Sequence, residues 1–212
     1  MAGVMDDLAI GFVHGPRWDA YFGLSLVRIA RELDISKWIS YPSGPTIDIG
    51  RNTIVDLFLE SDKDYLFMVD TDMTFSPQML HSLHEKRNPD WVLSALCYTE
   101  SGTPVPKVHA TDDEGNEGFK VISVNPEKPL VEVAMCGAAF TIVHRGIYEK
   151  VGANYAHSSR PYYAFTERYP RAGEDAEFCA RAAESGFKTV VDCTVVPGHR
   201  KVKTIGNTSV PD

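Results

Sequence analysis

The sequence predicts an α/β layer structure with one largely parallel sheet, in which a nucleotide-type first half is followed by a more antiparallel second half. Three observations carry this. From Leu8 to Tyr98, short apolar runs alternate with stretches of 3.6-residue apolar period, the pattern of strands joined by helices. One run, Tyr65 to Val69, is apolar throughout and ends in Asp70 and Asp72, a buried strand with carboxylates at its carboxyl end. From Phe119 onward the runs shorten and are parted by turn residues instead of helices.

The elements follow in order. Leu8 to Val13 reads as a strand stopped by His14-Gly15-Pro16. Phe22, Leu26, Ile29, Ala30 and Leu33 fall on one helix face, and Asp19 is placed to cap it. Trp38 to Tyr41 is a second strand, ended by Pro42-Ser43-Gly44-Pro45. Ile47 to Leu59 is a helix burying Ile54, Val55, Phe58 and Leu59. After the strand Tyr65 to Val69, Ser76-Pro77 supplies an N-cap and an N1 proline for a helix through His81 and His84. Trp91 to Tyr98 is the next strand. Phe119 to Val124 and Leu130 to Met135 read as two shorter strands across a proline-bearing turn, and Ala138 to His144 as another. A loop rich in aromatics and arginine covers Arg160 to Arg171. Glu174 to Ser185 is a helix closed by Gly186, and Val190 to Val196 is the last strand. We read residues 1–200 as a single domain and 201–212 as a tail.

Composition narrows the function classes. A hydrophobic share of 43% with 24% charged residues is that of a globular domain with a core of its own. A net charge of -8 disfavours non-specific nucleic-acid binding. Cys97, Cys136, Cys179 and Cys193 form no CxxC pair, which fits a reduced, cytoplasmic protein better than a disulfide framework or a zinc site. Asp6 and Asp7 stand where a signal peptide needs positive charge, and no apolar run reaches membrane-spanning length.

The chemistry centres on Val69-Asp70-Thr71-Asp72. Side chains two apart on an extended segment point to one side, so both carboxylates can face one hard cation such as Mg²⁺ or Mn²⁺; equally, aspartates at a strand end can be plain turn residues. A calcium loop is excluded because its glycine position is Phe75 and its last ligand position His81. The DxDxT of haloacid-dehalogenase-type phosphatases fits Asp70, Asp72 and Thr74 and would make Asp70 a nucleophile. That motif usually ends the first strand of its domain, whereas two strands and two helices come before it here.

Further along, Gly50-Arg51-Asn52 opens a helix and Gly137-Ala138-Ala139-Phe140 precedes a strand. Gly173-Glu174-Asp175 is followed by Phe178-Cys179 and Gly186, and Gly198-His199 closes the series. With Tyr65 to Asp72, these pieces give the chain a pattern that resembles the nucleotide-sugar glycosyltransferases of the GT-A fold, as a small DxD-containing member. The resemblance implies a three-layer sandwich and transfer of a sugar from a UDP- or GDP-type donor to an acceptor hydroxyl. It implies that Asp72 and His199 hold the metal, with Mn²⁺ ahead of Mg²⁺ for a mixed carboxylate and imidazole set. It places Arg51, Asp70, His14 and Gly15 around the donor, and Glu174 and Asp175 toward the acceptor, with Asp175 as general base in an inverting reaction. The acceptor class, whether glycan, protein, small molecule or nucleic acid, stays open. A phosphatase acting through Asp70 and a non-catalytic nucleotide-sugar or glycan-binding module stand as alternatives.

Other features have plainer readings beside functional ones. His81 and His84 share a helix face and are expected on a solvated surface. Tyr162, Tyr163, Phe165 and Tyr169 either stack on sugar rings or cover the core. Lys201 and Lys203 either reach the diphosphate or are solvated charges. No Gln-x-x-Arg-Trp signature follows the helix from Glu174, which argues against a membrane polysaccharide synthase.

Overall fold

The computed structural model describes residues 3–111, 117–125, 127–166 and 173–200. In chain order the elements are β1 (Gly3–Val4), β2 (Leu8–His14), α1 (Ala20–Glu32), β3 (Leu33–Asp34), β4 (Lys37–Pro42), α2 (Ile47–Leu59), β5 (Tyr65–Val69), β6 (Met73–Thr74), α3 (Pro77–Glu85) and β7 (Trp91–Ala95). They continue with β8 (Lys107–Thr111), β9 (Glu117–Val121), β10 (Leu130–Val133), β11 (Phe140–His144), α4 (Arg145–Asn154), α5 (Glu174–Glu184), β12 (Lys188–Asp192) and β13 (Gly198–His199).

Seven strands form the central sheet in the order β10-β12-β7-β11-β5-β2-β4. β2 pairs parallel with β4 and with β5, and β7 pairs parallel with β12. β11 inserts antiparallel between β5 and β7, and β10 lies antiparallel on β12. Five of the seven strands therefore share one direction, and the two reversed strands belong to the second half of the chain.

The sheet is covered on both faces, and the period-2 alternation of its strands shows how. Leu66 and Met68 of β5 face a cluster built on α2, α4 and α5, including Ile54, Phe58, Tyr148 and Phe178. Phe67 and Val69 face the opposite cluster, where α1 and α3 supply Phe22, Ile29, Leu80 and Leu83. A strand with helices on both sides has no polar face to spare, which is why β5 is apolar throughout. The result is the three-layer sandwich.

The helix boundaries follow their caps. Asp19 Oδ1 accepts from the Tyr21 N–H at 2.8 Å, and Ser76 Oγ accepts from Met79 N. Gly186 takes a φ of +95° after the Ser185 cap of α5, a conformation glycine adopts without strain. In α1 the expected core position Ala30 is exposed, and Ser25 is buried in its place. Ser25 Oγ accepts from the Phe75 backbone N–H, which fastens the helix to the chain after β6.

Three readings from the sequence change, and one open alternative is decided. Glu117–Val121 and Leu130–Val133 do not pair with each other. The first forms a hairpin with β8, and the second adds to β12. The helix α4 has no counterpart in the sequence reading. The His84 side chain is buried, its Nε2 2.8 Å from Asp7 Oδ1, and burial lowers its pKa; only His81 lies on a solvated face. Tyr162 and Tyr163 are core residues. Tyr163 stacks on Phe178 with centroids 4.6 Å apart, and its hydroxyl is 3.3 Å from that of Tyr148. Phe165 is exposed, whereas Tyr169, Arg171, Lys201 and Lys203 lie outside the described residues. Among those residues, no helix is long and apolar enough to cross a membrane.

Candidate functional site

Polar side chains gather where β5 ends. Asp70 follows the last residue of β5, and its backbone N–H donates to the Ala139 carbonyl just ahead of β11. That bond ties the carboxyl end of β5 to the start of β11, and Asp70 stands at the end of an inner strand. Here the two helices flanking the cleft contribute one residue each, Arg51 from α2 and Glu174 from the first turn of α5.

The Arg51 guanidinium is 4% exposed and joins them. Nη2 donates to Asp70 Oδ1 at 2.8 Å and Nη1 to Glu174 Oε1. The same guanidinium lies 5.7 Å from the centroid of the Tyr163 ring. Desolvation alone would lower the Arg51 pKa, but Asp70 and Asp175 overcome it and the net shift is upward. Its buried Nε–H has no hydrogen-bond partner among the described residues.

Asn52, the next residue of α2, pins the Tyr162–Tyr163 segment. Its Nδ2 donates to the Tyr163 carbonyl at 2.7 Å, and its Oδ1 accepts from the Tyr162 N–H at 3.1 Å. Successive residues of α2 thus serve two ends, Arg51 lining the cleft and Asn52 fixing the buried tyrosine segment behind it.

Asp175 is half-buried beside Glu174. Its carboxylate accepts from the backbone N–H groups of Ala176 and Ala138. A Cβ on Gly173 would come within 2.7 Å of Asp175 Oδ1, so a side chain there would displace the carboxylate from this position. Burial raises the Asp175 pKa, opposed by the charge of Arg51 and by the two N–H donors.

A second pair lies at the turn after Asp70. His199 Nε2 is 3.1 Å from Asp72 Oδ2, brought there because β13 pairs antiparallel with β6 and sets His199 opposite Met73. The Arg200 N–H donates to the Asp72 carbonyl. On its other side, His199 Nδ1 lies 2.9 Å from the Tyr98 carbonyl oxygen. A carbonyl only accepts, so Nδ1 carries a proton, and Nε2 meets the Asp72 carboxylate either as an N–H donor or, in the Nδ1–H tautomer, through its lone pair. Two acceptors at 3.1 Å repel unless a proton or a cation lies with them. A backbone carbonyl oriented on the far nitrogen is the usual support for a metal-binding histidine.

Asp72 and His199 would suit a divalent cation that takes its other ligands from outside the protein, since such ions need only one or two protein ligands. Among the described residues no group of three or more His, Cys, Asp or Glu side chains could hold a metal by itself. The negative field of this turn reaches Cys97, whose thiol is pushed up to about 12 by burial, with Asp70 and Asp72 adding to it.

The Arg51 cluster and Asp175 open into a cleft of about 670 Å³. Its far wall carries Thr99, Ser101, Thr103 and Lys107. The three hydroxyls form a chain, Thr99 Oγ1 to Ser101 Oγ at 2.8 Å and on to Thr103 Oγ1 at 3.1 Å. The sequence reading missed this wall. Its only signal is the run Thr99 to Pro104 after a strand end, which reads as an ordinary turn.

The structure therefore brings Arg51, Asp70, Glu174 and Asp175 together, with Asp72 and His199 next to them across the same turn. His14 and Gly15 stand at the end of β2, where the His14 ring lies 6.0 Å from that of Trp18 and its Nδ1 is 2.9 Å from the Gly15 carbonyl. Among the described residues, no hydrogen bond or ion pair links them to the Arg51 cluster.

No protein-family model matches the chain, and no curated protein matches it. Solved structures do. A197 from STIV superposes with a TM-score of 0.57 at 17% identity, over 92% of this chain and 86% of that one. GalNAc-T7, solved with UDP, GalNAc and Mn²⁺, superposes with a TM-score of 0.60 at 10% identity, over 97% of this chain and 46% of that one. At these identities the likeness speaks to the fold. The chain has a GT-A-like fold.

Proposed function

We propose that the protein is a metal-dependent glycosyltransferase that moves a sugar from a nucleoside-diphosphate sugar to an acceptor hydroxyl. The observation that carries this reading is the Asp72–His199 pair, 3.1 Å apart with the imidazole oriented by Tyr98, beside a cleft whose floor holds a half-buried carboxylate. The GT-A-like neighbour solved with UDP, GalNAc and Mn²⁺ supports a UDP-type donor and Mn²⁺ for this chain too.

In this reading Asp72 and His199 hold the cation, which when bound offsets the charge developing on the leaving diphosphate. Arg51 holds Asp70 in place for the donor while Glu174 braces Arg51 from the other side. Asp175 accepts the proton of the acceptor hydroxyl as that oxygen attacks the anomeric carbon and the bond to the diphosphate breaks. His14 and Gly15 take the nucleobase end of the donor. Asp70 Oδ1 is committed to Arg51, which counts against Asp70 as the nucleophile of a phosphatase. The four cysteines are free, in keeping with a cytoplasmic protein.

The test is a panel of UDP-, GDP- and dTDP-sugars with Mn²⁺, scored by calorimetric binding and by nucleotide release. We expect one nucleotide class to bind only with metal present and Asp72→Ala to abolish that binding. Binding that ignores EDTA and survives Asp72→Ala would overturn the metal assignment. Metal-dependent binding without turnover of any donor, unchanged in Asp175→Ala, would leave a non-catalytic binding module.

A further inference from the structure

We propose that the outer face of α1 docks the protein on anionic lipid bilayers. This inference stands apart from the glycosyltransferase reading.

A helix at the surface of a domain usually turns apolar residues inward and charge outward. The inner half of α1 obeys this, burying Phe22, Ser25 and Ile29. The outer half does not. Trp18 is 52% exposed, Tyr21 52%, Leu24 51% and Val27 55%. Tyr21, Leu24 and Val27 follow one another at three-residue steps along α1 and Trp18 stands just before its Asp19 cap, whereas most other exposed large apolar side chains of the described residues are less open and lie elsewhere. At 100° per residue, Ala20, Tyr21, Leu24, Val27, Arg28 and Arg31 fall within an arc of roughly 120°, and no carboxylate lies within it. Arg28 and Arg31 make no ion pair among the described residues.

Of the acids nearest this face one is paired with a cation and the other flanks the face without entering it. Asp19 caps the helix and pairs with Arg200, and Glu32, just outside the arc, accepts from Gln78 Nε2. In a chain of net charge -8, a helix face that offers only arginine is a local reversal of sign.

Charge complementarity selects the occupant. Here Arg28 and Arg31 share the arc with Leu24 and Val27. That mixture suits the boundary between acyl chains and headgroups, where apolar side chains enter and guanidinium groups stay with phosphates. Tryptophan and tyrosine favour the same depth. Trp18 is held for it, its ring stacked on Phe12 at 5.5 Å, while the Arg200 guanidinium lies 4.0 Å from the Tyr21 ring centroid.

The N-terminal end of the face is fastened to the carboxylate turn. The Asp19 N–H donates to the Thr71 carbonyl, between Asp70 and Asp72, and Arg200 links Asp19 to the Asp72 backbone. Docking through α1 therefore holds that turn beside the headgroup layer.

The experiment is flotation of the full chain with vesicles of phosphatidylcholine alone and of phosphatidylcholine with phosphatidylglycerol, at low and physiological salt. Light scattering on the same samples reports self-association. We expect binding to the anionic vesicles only, weakened by salt. Arg28→Gln/Arg31→Gln should lower the partition by about fivefold for each charge removed. Leu24→Asp/Val27→Asp should abolish binding while circular dichroism and melting stay unchanged, since both side chains are half exposed. In the unaltered protein, brominated lipid should quench fluorescence that Trp18→Phe removes. Three outcomes would overturn the proposal: no flotation with anionic vesicles at low salt; equal flotation of the Leu24→Asp/Val27→Asp variant; or a concentration-dependent dimer, lost in that variant, without vesicle binding.

Discussion

Arg51 Nη2 lies 2.8 Å from Asp70 Oδ1 across the end of the central strand, and the same guanidinium holds Glu174 at the start of α5. One buried cation thus joins the carboxylate turn to the helix that carries Asp175. Arg51→Met leaves Glu174 buried without its partner and beside Asp70. Breaking a buried pair from one side costs about 3–5 kcal/mol. For a domain of this size that is a fall of roughly 6–20 °C in Tm. Adding Glu174→Gln removes the stranded charge and should return part of the loss. Calorimetric melting of the two variants checks this, and a double variant no more stable than the single one would dissociate Glu174 from Arg51.

Gly50 controls how closely that arginine approaches the sheet. A Cβ at this position would meet both methyls of Val13 on β2, at 2.8 and 2.9 Å. A β-branched side chain cannot swing one methyl away without bringing in the other, so α2 must retreat. Overpacking costs about 1–3 kcal/mol, against about 0.5–1 kcal/mol gained by replacing glycine within a helix. Gly50→Ala should therefore lose roughly 1–2 kcal/mol in denaturant unfolding and weaken donor binding through Arg51. Val13→Ala in the same chain should restore binding, because it reopens the space.

Asp175 gives the protein a pH signature. Burial holds its carboxyl above the ordinary 3.8, even with Arg51 pulling the other way. The native carboxyl binds its proton more tightly than the unfolded one, so this contribution to stability is complete below pH 3.8 and is lost as pH climbs through the raised value. Asp175→Asn should match the parent below pH 3.8 and gain on it above, read as denaturant midpoints across a pH series. The acid limb of the transfer rate should lie above that of an ordinary carboxylate and vanish in the variant. A stability difference that does not change with pH would remove burial as the source of the effect.

Much of this fold was legible because local signals agreed with the layers. Asp19 and Ser76-Pro77 announced helices that the structure starts at Ala20 and Pro77, and β5 was apolar because it is covered twice. α4 was illegible for a local reason. Its cap is the His144 side chain, two of its ten residues are Gly146 and Gly152, and its core contacts reduce to Ile147, Tyr148 and Val151. β9 and β10 were visible as runs, but β9 turns back on the preceding β8 while β10 joins β12 far along the chain, and that choice is set by sheet order that no local window contains. The site divides in the same way. Asp70 and Asp72 stood out two residues apart, whereas the Arg51–Glu174 contact joins residues separated by 123 positions, and nothing near either one announces the other.

His199 can offer Nε2 toward Asp72 because Nδ1 keeps its proton for the Tyr98 carbonyl. Glutamine in its place has an amide oxygen but no such orientation, and loses the nitrogen that favours Mn²⁺ over Mg²⁺. Loss of an outer-shell partner typically costs a metal site 10–100-fold, so His199→Gln should weaken Mn²⁺ binding in the presence of nucleotide by at least about tenfold. His199→Asp supplies only oxygen, and should retain Mg²⁺ binding while narrowing the advantage of Mn²⁺. The free Mn²⁺ signal in electron paramagnetic resonance titrations reads both. Since His199 is half-buried on the two-residue strand β13, neither variant should shift the melting temperature by more than a few degrees, which separates loss of a ligand from loss of the fold. Equal Mn²⁺ affinity in the parent and His199→Gln would leave Asp72 as the sole protein ligand and His199 as a residue that only orders the turn.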